Sequence, residues 1–226
     1  MCGRFTSSQR REAIGERFEV AVPETYAHRF NLAPAQRALI VREHDGVREA
    51  VMAKWGLLPR WAKDSKIAFK MINARAETLS EKPAYRGLLT RHRCLIVADG
   101  FYEWTVGSDG TKQPVHFHLP GRELFAFAGL WTSRTDDATG EVVDSCTIVT
   151  TRPNGLVGPV HDRMPVILPR DAERTWLDAS IAKEHALFLL QPYPAELMRA
   201  LPASTRVNST RNDDSGLLVA DEQLAA

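Results

Sequence analysis

The chain has 226 residues, 44% hydrophobic and 25% charged, with 29 Lys and Arg balanced against 28 Asp and Glu for a net charge of +1. That is the make-up of a globular chain long enough to bury most of its apolar surface without covalent staples. It excludes a globally basic nucleic-acid coat but permits a local basic groove. No stretch approaches the length of apolar chain that spans a bilayer, and no apolar signal region opens the sequence, so an intracellular, cytoplasmic protein is expected. Three cysteines with no close spacing, Cys2, Cys94 and Cys146, argue against both a disulfide framework and a Cys-rich zinc site.

The opening "MCGRF" places a thiol at position 2. Excision of methionine ahead of this small side chain would leave Cys2 as a 1,2-aminothiol, whose α-amine, with a pKa of roughly 7.7, is substantially unprotonated near neutrality. The alternative is a small residue in a frayed terminus. "SSQRREAIGERFE" has serine caps and Ile14 and Phe18 four apart, which predicts a short amphipathic helix. The linker "AVPETYAHRFNLAPAQ" follows, and Pro34 should stop any regular element there. From residue 38 the pattern turns to strands: "ALIVRE", "REAVMAKWGLL", "CLIVADGFYEW", "VHFHL", "LFAFAGLW", "SCTIVTT" and "MPVIL". Helical patterns occur at "KPAYRGLLTRHR", "PRDAERTWLDASIAKEHALFLLQ" and "PAELMRAL". Strands therefore mostly follow strands. The expected fold is α+β, a curved mixed or antiparallel sheet, barrel-like and flanked by short helices. One domain is expected over residues 2–209, with a polar tail over 210–226.

Four stretches bring reactive polar residues into apolar surroundings: "MINARAET", "ADGFYEW", "VTTRPNG" and "VHDRMPVIL". Glu103 lies between Tyr102 and Trp104, where desolvation would suit it to a proton shuttle near neutral pH; a solvent-facing residue on an alternating strand is the other reading. His161, at the mouth of "MPVIL", can exchange protons at physiological pH with Asp162 or a backbone carbonyl fixing its tautomer, or be a hydrogen-bonded structural histidine. Asn73 and Arg75 are two apart and share a face if extended, an amide for orienting an amine or carbonyl and a fork for phosphate. Trp61, between Arg60 and Lys63, is a stacking platform for single-stranded nucleic acid, whereas Trp55 ends an apolar strand and fits the core. Cys94 and Cys146, inside apolar runs, read as small buried hydrophobes. His116 and His118 share a strand face, but a structural zinc takes four ligands and only two are evident. No metal or cofactor is expected.

Eight blocks in order, "MCGRF", "RFNLAP", "WGLLPRW", "INARAET", "RCLIVADGFYEW", "AGLW", "TIVTT" and "VHDRMPVIL", closely resemble the SRAP family, the SOS response-associated peptidase domain, from residue 1 to about 209. The resemblance implies a sensor of abasic sites in single-stranded DNA that loses Met1 and uses the new N-terminal cysteine to form a thiazolidine crosslink with the ring-opened sugar aldehyde. It implies Cys2 as nucleophile, Asn73 holding the amine or the sugar, Glu103 as acid/base in N-terminal processing and around the adduct, and His161 assisting sugar opening and the Schiff-base steps. It implies phosphate contacts by Arg4, Arg75, Arg163 and Arg86, and a DNA channel shaped by Asn31, Pro34, Trp61 and Thr150. Some relatives carry a second aromatic directly after the position of Trp61; this chain has Ala62, which would reduce the stacking wedge. The competing activity is a thiol-dependent peptidase acting on other polypeptides, and strand cleavage at the abasic site would make the protein a lyase. A monomer is expected, nucleoid-associated when bound to damaged DNA.

Overall fold

The computed structural model of the chain describes residues 2–62, 64–107, 110–135 and 140–219. Its strands are β1 (Arg4–Ser7), β2 (Arg29–Leu32), β3 (Arg37–His44), β4 (Val47–Trp55), β5 (Asn73–Arg75), β6 (Arg93–Ala98), β7 (Gly100–Val106), β8 (Lys112–His118), β9 (Phe125–Thr135), β10 (Val142–Thr151), β11 (Met164–Pro165), β12 (Ile167–Leu168) and β13 (Arg199–Pro202). Its helices are short: α1 (Arg11–Phe18), α2 (Pro83–Arg86), α3 (Leu88–Arg91), α4 (Arg170–Leu177) and α5 (Lys183–Phe188).

Five strands close a barrel. β4, β3, β6, β9 and β10 pair antiparallel in that order, and β10 returns to β4 in parallel, Ser145 beside Lys54 and Cys146 beside Trp55. Closure leaves no free edge in the ring. β5 adds to β10 in parallel, Ile148 beside Asn73 and Thr150 beside Arg75. A second, antiparallel sheet runs β13-β8-β7-β1-β2. The expected α+β class and barrel-like curvature describe this architecture.

The apolar run Cys94–Ala98 of β6 follows from burial on both faces: Leu95 and Val97 join one hydrophobic cluster with Ile14, Phe18 and Trp176, while Cys94, Ile96 and Ala98 join another with Cys2, Phe5 and Phe101. Trp55 is fully buried in the second cluster, its ring edge-on to Phe5 at 5.0 Å. "CLIVADGFYEW" is therefore two strands in two sheets. They hinge at Asp99, whose Oδ2 accepts from the Ser8 backbone N–H at 2.8 Å and from its hydroxyl at 2.6 Å.

Several local expectations are corrected. The serines do not cap α1: its N-cap is Arg10, without a side-chain cap, because Asp99 engages Ser8. The linker holds a strand, β2, paired with β1. "PAELMRAL" forms one 3-10 turn and then β13, because the edge of β8 supplies backbone partners that a short isolated helix lacks. "MPVIL" splits between β10 and β9.

The stretch expected as a polar tail is packed against the domain up to residue 219. Asp213 Oδ1 accepts from the backbone N–H of Phe30 at 2.6 Å and of Asn31 at 2.9 Å, and its other oxygen pairs with Arg29. Leu217 and Leu218 are buried with Tyr102 and Val207. The segment thus buttresses β2. Met1, Lys63 and residues 220–226 of the expected tail lie outside the described residues.

Candidate active site

Pairing of β1 with β7 sets Arg4 opposite Tyr102 and Phe5 opposite Phe101, which brings the residues just before β1 alongside Glu103. Cys2 is fully buried there. Burial pushes its thiol well above the ordinary cysteine range, and the nearby Glu103 charge pushes in the same direction. The resting group is therefore SH and needs a base.

Asn73 reaches Cys2 from β5, its Nδ2 donating to the Cys2 carbonyl at 2.8 Å. Its Oδ1 is buried with no partner. An unpaired buried acceptor costs about 1–3 kcal/mol, so the site retains an oxygen suited to an incoming N–H or O–H.

Glu103 is 2% exposed, and burial, only partly offset by the chain's terminal ammonium, pushes its carboxyl up to about 7. It is therefore no solvent-facing strand residue. At neutral pH both its protonation states are populated, as a proton carrier requires. His161 Nε2 lies 4.0 Å from Glu103 Oε2. Burial lowers the His161 pKa, so the ring is neutral at pH 7. The Arg163 backbone N–H donates to its Nδ1 at 3.0 Å, which leaves the neutral ring's proton on Nε2, facing Glu103. Asp162 Oδ1, 2.9 Å from Nδ1, competes for that nitrogen only when it is protonated.

A residue the sequence reading passed over holds His161 in place. Asn154, in "TTRPNG", accepts on Oδ1 from the N–H groups of Leu156 and Val157 at 3.0 and 2.9 Å, and donates through Nδ2 to the Tyr193 carbonyl at 2.7 Å. The Val157 carbonyl in turn accepts from the His161 N–H at 3.0 Å. The signal was an Asn-Gly pair, which sequence alone marks as a turn.

The residues expected at DNA divide into groups. Arg163 forks onto Glu77 at 2.8 and 2.9 Å and reaches the Thr150 carbonyl at 2.6 Å. Thr150 is buried opposite Arg75, which is exposed. These three border the Asn73 strand. Trp61 is 63% exposed, and α2, which carries the exposed Arg86, lines a cavity of about 240 Å³ with it. Pro34 sits half-buried in the turn before β3. Arg4 and Asn31 instead face inward: Arg4 Nη1 donates to Asn31 Oδ1 at 2.8 Å and to the Val207 carbonyl at 2.9 Å, while Asn31 Nδ2 donates to the carbonyls of Val207, Ser209 and Asn212. Both tie β1 and β2 to the C-terminal segment.

The two strand histidines serve packing. His116 and His118 stack with ring centroids 5.4 Å apart, and burial lowers His116 to about 3. A Cβ on Gly100 would stand 2.1 Å from His116 Nε2, so the adjacent strand needs glycine there. Among the described residues no group of three or more His, Cys, Asp or Glu side chains could hold a metal, and no helix is long and apolar enough to cross a membrane.

The family model for the SOS response associated peptidase (SRAP) matches residues 1–210. The chain belongs to the SRAP family. Abasic site processing protein YoqW of Bacillus subtilis is 44% identical over 222 residues, spanning 96% of this chain and 99% of that protein. Abasic site processing protein HMCES of Gallus gallus is 37% identical over 190 residues, spanning 74% of this chain and 56% of that longer protein. A crystal structure of a Bacteroides thetaiotaomicron protein superposes with a TM-score of 0.89 at 25% identity, covering 97% of this chain and all of that one. The SRAP match ends at residue 210, so the packed stretch 211–219 lies beyond it.

Proposed function

We propose that this SRAP protein senses abasic sites in single-stranded DNA and captures them covalently through Cys2 once Met1 has been removed. The observation that carries the reading is the convergence, on one buried cysteine next to the chain start, of an amide, a carboxyl with a pKa of about 7 and a neutral histidine. The names of the curated relatives support abasic DNA as the substrate class.

In this mechanism His161 donates and accepts the protons that open the cyclic hemiacetal to the aldehyde. The neutral α-amine of Cys2 adds to C1′ and water departs, leaving an imine. The Cys2 sulfur then adds to the imine carbon. One C–S bond forms, the thiol proton passes through Glu103 to the nitrogen, and a five-membered thiazolidine closes with no redox partner. Amine and thiol sit on adjacent carbons, so the closing step has a large effective concentration. Asn73 Oδ1 accepts from the amine or a sugar hydroxyl. Glu103 serves the N-terminal processing step as well. Arg75 and Arg163 contact phosphate, with Thr150, Pro34, Trp61 and Arg86 shaping the strand's path, while Arg4 and Asn31 support this channel from behind.

Incubation with single-stranded DNA bearing one abasic site, followed by a denaturing gel, tests the reading. A heat-stable shifted band is expected, with the protein lacking Met1 by mass spectrometry. A retained Met1 in protein that still crosslinks would remove the Cys2 amine from the mechanism. A peptidase acting on other polypeptides, or a noncovalent DNA binder, would give no band.

A further inference from the structure

At the far end of the barrel from Cys2 lies a cleft of about 200 Å³ lined by four arginines, Arg17, Arg48, Arg170 and Arg174, and two glutamates, Glu19 and Glu173. Its charges are unevenly matched. Arg17 forks onto the buried Glu173 at 2.8 and 2.9 Å, consuming that carboxylate. Arg48, Arg170 and Arg174 form no ion pair among the described residues, and the Arg48 Nε is shielded from solvent with no acceptor. Glu43, directly across the β3–β4 ladder from Arg48, makes no ion pair with it either. Three guanidinium groups gathered in a recess repel one another. A doubly charged oxyanion relieves that repulsion and fits their planar donor forks. Arg170 opens α4, an eight-residue helix whose N-cap, Pro169, supplies no side-chain acceptor, so its first N–H groups add positive potential beside the same recess.

We propose that Arg48, Arg170 and Arg174 form a phosphate-binding cleft separate from the Cys2 site, taking a phosphodiester or pyrophosphate group. The separation follows from β4: Arg48 stands at its start and Trp55, which packs on Phe5 near Cys2, at its end. Seven residues of extended chain span roughly 23 Å. A phosphate in the cleft is therefore beyond reach of the groups that contact the sugar. The ligand is either a more distant stretch of the nucleic acid or a free phosphate compound. The first source rests on the proposed DNA function, whereas the cleft itself does not.

The test is titration of inorganic pyrophosphate into the full chain by calorimetry at fixed ionic strength. Saturable one-site binding is expected, weakened at least tenfold in Arg170→Gln/Arg174→Gln and unchanged in the charge-matched Lys82→Gln/Arg91→Gln. All four positions are exposed, and thermal unfolding without ligand verifies that both variants fold. No saturable binding, or equal affinity in the two double variants, overturns the proposal. A second arm identifies the source with an intact single-stranded 20-mer lacking any abasic site. If nucleic acid supplies the phosphate, pyrophosphate competes with the oligonucleotide, and the cleft variant's salt dependence becomes shallower by about 1.4 log units per log unit for two lost contacts. If a free phosphate compound is the ligand, oligonucleotide binding is the same in both variants while the pyrophosphate affinity falls. Absence of an abasic-site adduct would sink the crosslinking reading and leave the pyrophosphate result standing.

Discussion

Cys2 and Cys146 are both fully buried in one hydrophobic cluster, and burial pushes both thiols up. Cys146 faces Trp55 on one side and Trp131 on the other across its strand ladders, and only desolvation acts on it. Cys2 has Glu103 close enough to alter its titration and Asn73 on its carbonyl. Burial alone therefore identifies no reactive thiol, since it suppresses the thiolate in both. What separates the two is a neighbour able to take the proton, and that neighbour must itself be desolvated to have a useful pKa.

The contrast breaks most completely on serine. Cys2→Ser should keep the amine and the imine but close no ring, because an alcohol is a far weaker nucleophile than a thiolate. The heat-stable adduct should vanish unless borohydride traps the imine, as read on a denaturing gel. Cys146→Ser should leave the adduct intact and lower stability by about 1–3 kcal/mol by burying a hydroxyl among apolar groups, measured by denaturant unfolding. As much unreduced adduct from Cys2→Ser as from the wild type would defeat the thiazolidine mechanism.

Removing the proton carriers should come next in size. His161→Ala is expected to slow adduct formation by roughly 10²-fold or more while Met1 is still lost; a wild-type rate would refute its role in sugar opening. Ring closure that uses Glu103 as base should accelerate as pH rises through about 7. The α-amine titrates nearby, so Glu103→Gln should retain one inflection of the two, in addition to slowing the reaction. The same group makes a stability prediction. Its pKa is raised on folding from 4.5 to about 7, so its contribution to stability is fully present below 4.5 and is lost as pH rises through 7. Urea unfolding between pH 4 and pH 8 should show this loss in the wild type and not in Glu103→Gln.

A smaller effect is expected at Asn154, which acts on the site through the His161 loop. Asn154→Ala orphans the Leu156 and Val157 N–H groups, at about 1–3 kcal/mol. It should shift the pH profile of crosslinking as the His161 ring loses its fixed geometry, whereas Asn154→Asp, which keeps the accepting oxygen, should recover part of the profile. An unchanged profile in Asn154→Ala would separate the loop from the chemistry.

Smallest is the extension of the contrast from thiols to tryptophans. Trp61→Ala should leave stability within about 0.5 kcal/mol and weaken single-strand binding by about 1 kcal/mol, the low end for base stacking, with Ala62 offering no second ring. Trp55→Ala should do the reverse, costing about 3–5 kcal/mol of stability. A stability loss at Trp61 comparable to that at Trp55 would place its ring in the core.

Much of this was open to the sequence. Strand runs, turn residues and the helix over Ile14 and Phe18 are local, and alternation or its absence reports burial. Cys2 stood out by its place directly after Met1, Asn73, Glu103 and His161 as polar groups in apolar or turn-rich surroundings, and the resemblance to the SRAP blocks joined the four into one site. Sequence also separated Trp61, flanked by cations, from Trp55 at the end of an apolar strand. Non-local pairing had to be supplied by the fold. Nothing in "CLIVADGFYEW" says that the chain changes sheets at Asp99, or in "PAELMRAL" that β8 has an open edge for it. Nothing in the polar composition after residue 209 says that Asp213 holds β2. The site has the same character: residues 2, 73, 103 and 161 share no sequence neighbourhood, and they meet only because β1 pairs with β7 while β5 and β11 both pair with β10. Residue types determined which chemistry was available; the packing decided that Cys2 rests as a thiol and that Glu103 titrates near neutrality, because desolvation is a property of the folded surroundings.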